Sequence, residues 1–250
     1  MSPIDMTRRH ALTAAAGVTT AASLGSTGLL AAPAAAAPRP PASNDELKEA
    51  LRRVKARQRR LLTGRPSANR WEMQKDVDAG GDIVTRDVPG TGLKVAVRMG
   101  DTETVLIHVI RRFHYEVGTL GLPGEPNPVQ GWSAPSAVRD SRLPESNLAS
   151  GTAFVIRPDF YPPGLEGGFT AGQELTIRDI VADTEGVVRW GGEDRRPYEG
   201  LFYVTARPND ARLRRVAAKI RAWDQTPGAG AGTVPDVTEP ARRRRAARYR

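Results

Sequence analysis

The sequence predicts an α+β fold, a single domain with a small antiparallel sheet and packed helices. Helical and strand signals are mixed along the chain without a regular β-α-β rhythm. The strand signals are short, one pair reads as a hairpin, and the clearest helix carries its apolar residues on one stripe. The chain of 250 residues suits one domain of ordinary size plus tails.

The elements follow in order. Ser43 and Glu46 have the spacing of a capping box and predict a helix over 44–62. Its stripe of Leu47, Leu51, Val54, Leu61 and Leu62 is only partial, so the helix either packs loosely on the domain or reaches outward. Gly64, Pro66 and Ser67 end it, and the globular part is expected to start near Trp71. Residues 83–88 and 93–99 alternate as strands around the turn Pro89-Gly90-Thr91-Gly92. Residues 101–104 read as a turn or a helix cap. Residues 105–120 place Leu106, Ile107, Ile110, Phe113, Val117 and Leu120 at helical spacing. A Pro/Gly loop follows at 121–128. Strands are expected at 153–157, 187–190 and 201–206, and helices at 172–185 and 210–223. Residues 226–240, rich in Gly, Ala and Pro, read as disordered. The expected organisation is thus an export signal over 1–37, a linker and charged helix over 38–69, a domain over 70–225, and a disordered tail over 226–250 with an Arg-rich end.

The start of the chain reads as an address. Arg8-Arg9 precedes a weakly apolar Ala/Thr/Gly-rich stretch that ends in Ala34-Ala35-Ala36-Ala37. Paired arginines, mild hydrophobicity and A-x-A-type cleavage sites predict export by the twin-arginine route, and an extracellular or wall-associated protein. No later segment approaches eighteen consecutive apolar residues, so no transmembrane segment is expected in the mature chain.

Composition excludes several chemistries. The chain has no cysteine, which removes disulfides, thiolate metal sites and cysteine nucleophiles. The net charge is +9, but six arginines fall within the last nine residues, and the segment 45–62 carries seven basic against three acidic residues. The remainder is near neutral, so a nucleic-acid partner is not expected. The excess of arginine over lysine fits a GC-rich genome. The arginine tail reads either as a solvated end or as an arm for an anionic cell-wall polymer.

Two stretches carry a family likeness. Ser146-Asn147-Leu148-Ala149-Ser150-Gly151-Thr152-Ala153-Phe154-Val155 resembles the S-x-H-x-x-G-x-A-x-D segment of the zinc D-alanyl-D-alanine carboxypeptidases and dipeptidases. The second is Val187-Val188-Arg189-Trp190-Gly191-Gly192, followed at Leu201-Phe202-Tyr203-Val204 by what resembles the family's H-F-E-[IV] strand. The resemblance implies the family's α+β fold and a site for peptidoglycan peptide. It also places Leu148, Val155 and Leu201 where the family has zinc ligands, and Tyr198 where it has a general base. Leucine and valine have no lone pair to give a metal, so zinc is expected to be absent and the site to be filled by an apolar plug. Gly131-Trp132 aligns loosely with a pair that precedes the family's carboxylate-binding arginine, but Ser133 follows it here. The resemblance therefore implies an exported, catalytically inactive relative that binds cell-wall peptide or a partner protein.

Other residues leave alternatives open. His108 and His114 lie six apart on a helix, on different faces, with Glu116 close in sequence. Together with Glu199, one residue from the family's base position, they are the candidates for a displaced metal site or a metal-free hydrolytic site. Ser133, Ser136, Ser146 and Ser150 have no neighbouring histidine and give no support to a serine nucleophile. Trp132, Phe160, Tyr161 and Trp190 are the candidates for lining a ligand groove, although loop aromatics commonly serve as packing anchors.

Overall fold

A computed structural model describes residues 43–126 and 128–249 of the chain. The expected export signal and residues 38–42 of the linker lie outside the described residues. The fold is α+β, with five helices, two two-stranded antiparallel sheets and one four-stranded antiparallel sheet among the described residues.

Helix α1 (Asn44–Leu61) starts at Ser43, whose hydroxyl accepts from the Glu46 amide while the Glu46 carboxylate accepts from the Ser43 amide. None of its residues is buried. It leads into β1 (Leu62–Pro66), which pairs with β2 (Glu72–Gln74). The hairpin β3 (Ile83–Val88) and β4 (Leu93–Arg98) has the expected turn, in register from Ile83↔Arg98 to Val88↔Leu93. Helix α2 (Asp101–Glu116) begins at the turn expected there and ends earlier than its periodicity suggests. It buries Val105, Leu106, Val109, Ile110 and Phe113.

The larger sheet has the order β5 (Val129–Gln130), β6 (Ala153–Ile156), β8 (Leu201–Val204), β7 (Val188–Trp190). All eight residues of β6 and β8 are buried. Strands buried on both faces read as continuous apolar runs. Phe154, Ile156, Phe202 and Val204 face the main core, built with α2, α3 (Ala171–Asp183) and α4 (Ala211–Asp224). There Phe154 stacks on Phe202 at 5.1 Å, and Phe113 meets Phe202 and Phe169 edge-on at 6.0 and 5.9 Å. Such pairs add about 1 kcal/mol each beyond the area they bury.

Two expectations are corrected. The core does not begin at Trp71, because Ser67 and Asn69 are already buried polar anchors. The tail is not disordered throughout: Pro240–Arg248 forms helix α5, which packs on α3 and buries Ala246. The physical reason is charge. Asp179 and Asp183 are one turn apart on α3 and share a buried face with Arg112 and Glu116 of α2. One guanidinium against three carboxylates leaves a deficit of two positive charges. Arg242 supplies one, donating from Nε and Nη2 to the Asp179 carboxylate at 3.0 and 2.5 Å. Arg245 supplies the other through Asp183. Burial raises the affinity of Asp179 for a proton, but the bonds from Arg242 and Arg112 outweigh it and hold the pKa below the ordinary carboxylate range.

Removing one partner of a buried ion pair leaves the other charge uncompensated. The double change Arg242→Ala/Arg245→Ala is expected to lower stability by about 3 kcal/mol, near the low end for buried pairs because both arginines are partly exposed. Urea unfolding of the two proteins at neutral pH checks this; equal midpoints would mean that α5 does not balance the buried acids.

Candidate functional site

The outward face of the β6–β8 pair carries a second, smaller apolar cluster. Val155 and Leu201 are direct cross-strand partners, and Ala153 faces Tyr203 one step along the same face. Leu148 closes the cluster from the 3-10 turn Pro144–Ser150, and Tyr198 packs against it. Leu148 is 7% exposed and Val155 and Leu201 are each 1% exposed. The three positions that the resemblance pairs with zinc ligands are thus together, in a cluster that also includes Ala153 and Tyr203. The fourth, Tyr198, lies at its margin.

A buried polar network holds the turn that carries Leu148. The Asn69 amide donates to Asn147 Oδ1 at 3.1 Å, and Ala68 donates to Ser146 Oγ at 2.9 Å. The Ser67 hydroxyl donates its proton to Asn69 Oδ1 at 2.7 Å and lies 2.9 Å from the Ser150 hydroxyl, and Asn69 Nδ2 donates to Thr152 Oγ1 and to the Val204 carbonyl, both at 2.8 Å. The Arg98 guanidinium adds bonds to the Ser150 and Glu72 carbonyls and to Asp82. Gly151 ends the turn at φ 67°, and a Cβ there would lie 2.8 Å from the Arg98 amide nitrogen and 3.0 Å from Ile83 Cγ1. Both the left-handed backbone and the close approach require glycine.

Above Leu148 and Tyr198 opens a cleft of about 560 Å³. Ser133, Leu143, Glu145 and Pro163 contribute to its walls, with Arg139 and Arg196 at its edge. An adjoining hollow of about 190 Å³ shares Glu145, Arg196 and Tyr198 and reaches Leu201. Arg139 and Arg196 are exposed, and neither joins an ion pair among the described residues. Asp140 is bound by Arg142, whose hydrogen bonds hold its carboxyl down to about 2. Burial pushes the Tyr198 hydroxyl up to about 12, with the Glu145 charge adding to it, so the hydroxyl stays protonated and is no base at neutral pH. Burial also raises Asp194, whose carboxylate accepts from the Tyr203 hydroxyl at 2.9 and 3.0 Å and pairs with Arg189. Such a cleft suits an amphipathic ligand with an anionic group: the floor is apolar and the unpaired rim cations are arginines.

The other expected residues are dispersed. Trp190 belongs to the main core at 2% exposure, with Nε1 donating to the Glu199 carbonyl at 2.7 Å, so it lines no groove. Trp132 is half-buried and donates to the Gln74 carbonyl at 3.3 Å; it is not among the cleft's walls, although its neighbour Ser133 is. Phe160 and Tyr161 line a different cleft of about 460 Å³ with Leu122, Pro123 and Pro126. The Glu199 carboxylate accepts from the Gly167 and Gly168 amides, both at 2.8 Å, and ties a loop down. His114 Nδ1 accepts from the Leu120 amide at 3.1 Å beyond the end of α2. The Glu116 carboxylate is taken by Arg112. Among the described residues no group of three His, Asp or Glu is arranged to hold a metal ion. Sequence reasoning missed Arg139, Glu145 and Arg196, because the loops and the short 3-10 turn that bring them to the cleft have no periodic signal.

No protein-family model, no curated protein and no solved structure matches the chain.

His108 has a structural consequence instead. It is 2% exposed, neither ring nitrogen has a hydrogen-bond partner, and its ring lies 5.7 Å from that of Trp223. Burial, and then the nearby charges of Arg112, Arg111 and Lys219, push its pKa down to about 3. Asp183, Arg242 and Arg245 line the same small hollow. An unfolded imidazole takes a proton near pH 6.5, so the unfolded state gains stability as pH falls below that value while the folded state does not. Between pH 7 and pH 5 the chain is expected to lose about 2 kcal/mol through this residue, given roughly 1.4 kcal/mol per pH unit. Urea unfolding at both pH values should show the loss in the natural chain and most of it removed in His108→Phe; an equal loss in both would exclude His108 as its source.

Proposed function

We propose that the chain is an exported, non-catalytic relative of the zinc D-alanyl-D-alanine carboxypeptidases that binds peptidoglycan peptide in the cleft above Leu148. The observation that carries this reading is the convergence of Leu148, Val155 and Leu201 on one apolar floor. Three residues separated by up to 53 positions meet where the likeness expects three metal ligands, and none of them can bind a metal. Tyr198, in the place of the general base, keeps its proton. A floor of this kind retains shape and apolar contact for a peptide without a group to activate water.

The rim favours the same ligand class. Ser133 stands where the likeness expects a carboxylate-binding arginine, and Arg139 and Arg196 offer cationic heads on the same cleft. A displaced hydrolytic site draws no support from His108, His114 and Glu199, each of which has another role. The contact with anionic cell-wall polymer expected of the tail falls to Arg243, Arg244 and Arg248, the exposed arginines of α5, since Arg242 and Arg245 face the acids of α3. Export by the twin-arginine route and a place outside the membrane or at the wall belong to this proposal, on the strength of Arg8-Arg9 and the alanine run.

Calorimetry with a stem peptide ending in D-Ala-D-Ala, coupled to chromatography of the mixture, tests the reading. Saturable binding with the peptide left intact is expected, and Arg139→Glu/Arg196→Glu should weaken it by about tenfold or more, or roughly 1.4 kcal/mol. Release of D-alanine, absence of binding, or binding that ignores the double substitution would each count against it.

A further inference from the structure

Helix α1 carries an apolar stripe that nothing in the described chain covers. Leu47, Leu51 and Val54 repeat at i, i+4 and i+7, and are 54%, 50% and 53% exposed. The helix has no buried residue, yet it is capped at its start and tied to the domain at its end. There the Lys75 amide donates to the Leu61 carbonyl at 2.8 Å, and Arg57 lies over Gly80. It is therefore an anchored helix with an open face.

Basic residues predominate around that face. At about 100° per residue, Lys48 and Lys55 flank the stripe on one side and Arg57 with Glu46 on the other, whereas Asp45 and Glu49 fall on the opposite face among Arg52, Arg53 and Arg60. All three acids are engaged locally, Glu46 accepting from the Ser43 amide at 2.8 Å, Asp45 with Lys48 at 3.3 Å and Glu49 with Arg53 at 3.2 Å. In all, the helix has seven basic and three acidic residues. An apolar stripe whose borders carry three cations to one acid, on a helix with a basic polar face, is the pattern of a helix lying in the plane of an anionic lipid surface. The aliphatic side chains enter the interface and the lysine and arginine heads reach the lipid headgroups.

A protein partner fits less well. A coiled-coil seam needs about three to four heptads, and the open stripe spans only two turns. In a second copy the flanking cations would face like charges and repel. A bilayer requires no matching length and supplies the opposite charge. We propose that α1 seats the protein on an anionic bilayer surface through Leu47, Leu51 and Val54, with the basic residues of the helix adding electrostatic attraction to the lipid headgroups.

The test uses the chain beginning at Pro38, which retains every buried residue of both apolar clusters. Its sedimentation with phosphatidylglycerol–phosphatidylcholine vesicles is compared with that on pure phosphatidylcholine. Binding to the anionic vesicles should be stronger by about tenfold or more. Leu47→Ala/Leu51→Ala/Val54→Ala keeps charge and helix propensity, and should lose about tenfold in binding while its circular dichroism is unchanged. Arg243→Gln/Arg244→Gln/Arg248→Gln, which weakens only the tail's charge, should retain most of it. No preference for anionic vesicles, or binding that the alanine triple variant leaves intact, would overturn the proposal. So would vesicle binding lost only in the tail variant, or a dimer abolished by the alanine variant in place of vesicle binding.

Discussion

The pairing of β6 with β8 is the constraint on which the rest of this structure depends. Both strands are buried on both faces, so each residue is assigned to one of two apolar environments by its parity along the strand. Phe154, Ile156, Phe202 and Val204 seat the three packed helices, while Ala153, Val155, Leu201 and Tyr203 make the floor beneath the cleft. The alternation leaves no way to change the floor without standing directly behind the main core. A polar group at Val155 or Leu201 would need partners in a cluster that offers almost none, and burying it unpaired would cost on the order of 1–3 kcal/mol.

Two polar systems fix the margins of this arrangement, and they work differently. Near the cleft, the hydroxyls and amides around Asn69 saturate one another and the backbone of the turn 144–150. Such a neutral network is specific in geometry and insensitive to salt. On the far side, Arg112 and the α5 arginines balance three carboxylates, and the balance closes only when the last helix is docked. The end of the chain is in this sense part of the fold, although it is separated from α4 by residues 226–239 in turns.

The helices and the β3–β4 hairpin were legible because their apolar spacing is local, and the capping box at Ser43 marked the start of α1 within one residue. The apolar floor was legible only through the likeness to a motif, since nothing local links Leu148 to Leu201. Helix α5 was hidden for a different reason. Its composition, Pro then clustered arginine and alanine, describes a solvated end unless the acids opposite are known. The available signal was the pair Asp179 and Asp183, one turn apart in a helix otherwise rich in Ile, Val and Ala, with Arg112 and Glu116 at the same spacing on α2. Charged residues at i and i+4 on an apolar face ask for partners elsewhere in the chain. The cleft rim was illegible, because Arg139 and Arg196 come from loops and Glu145 from a short 3-10 turn, none of which has an apolar period to read.

The central proposal is that the apolar floor under the cleft stands where the likeness would place a metal centre. Its most direct test is the zinc content of the chain beginning at Pro38, mixed with equimolar zinc, passed through a desalting column and measured by mass spectrometry. The account predicts zinc far below one ion per chain, with no change in thermal midpoint on adding the metal. One retained zinc per chain, lost when the cleft is altered at Glu145 or Tyr198, would contradict it.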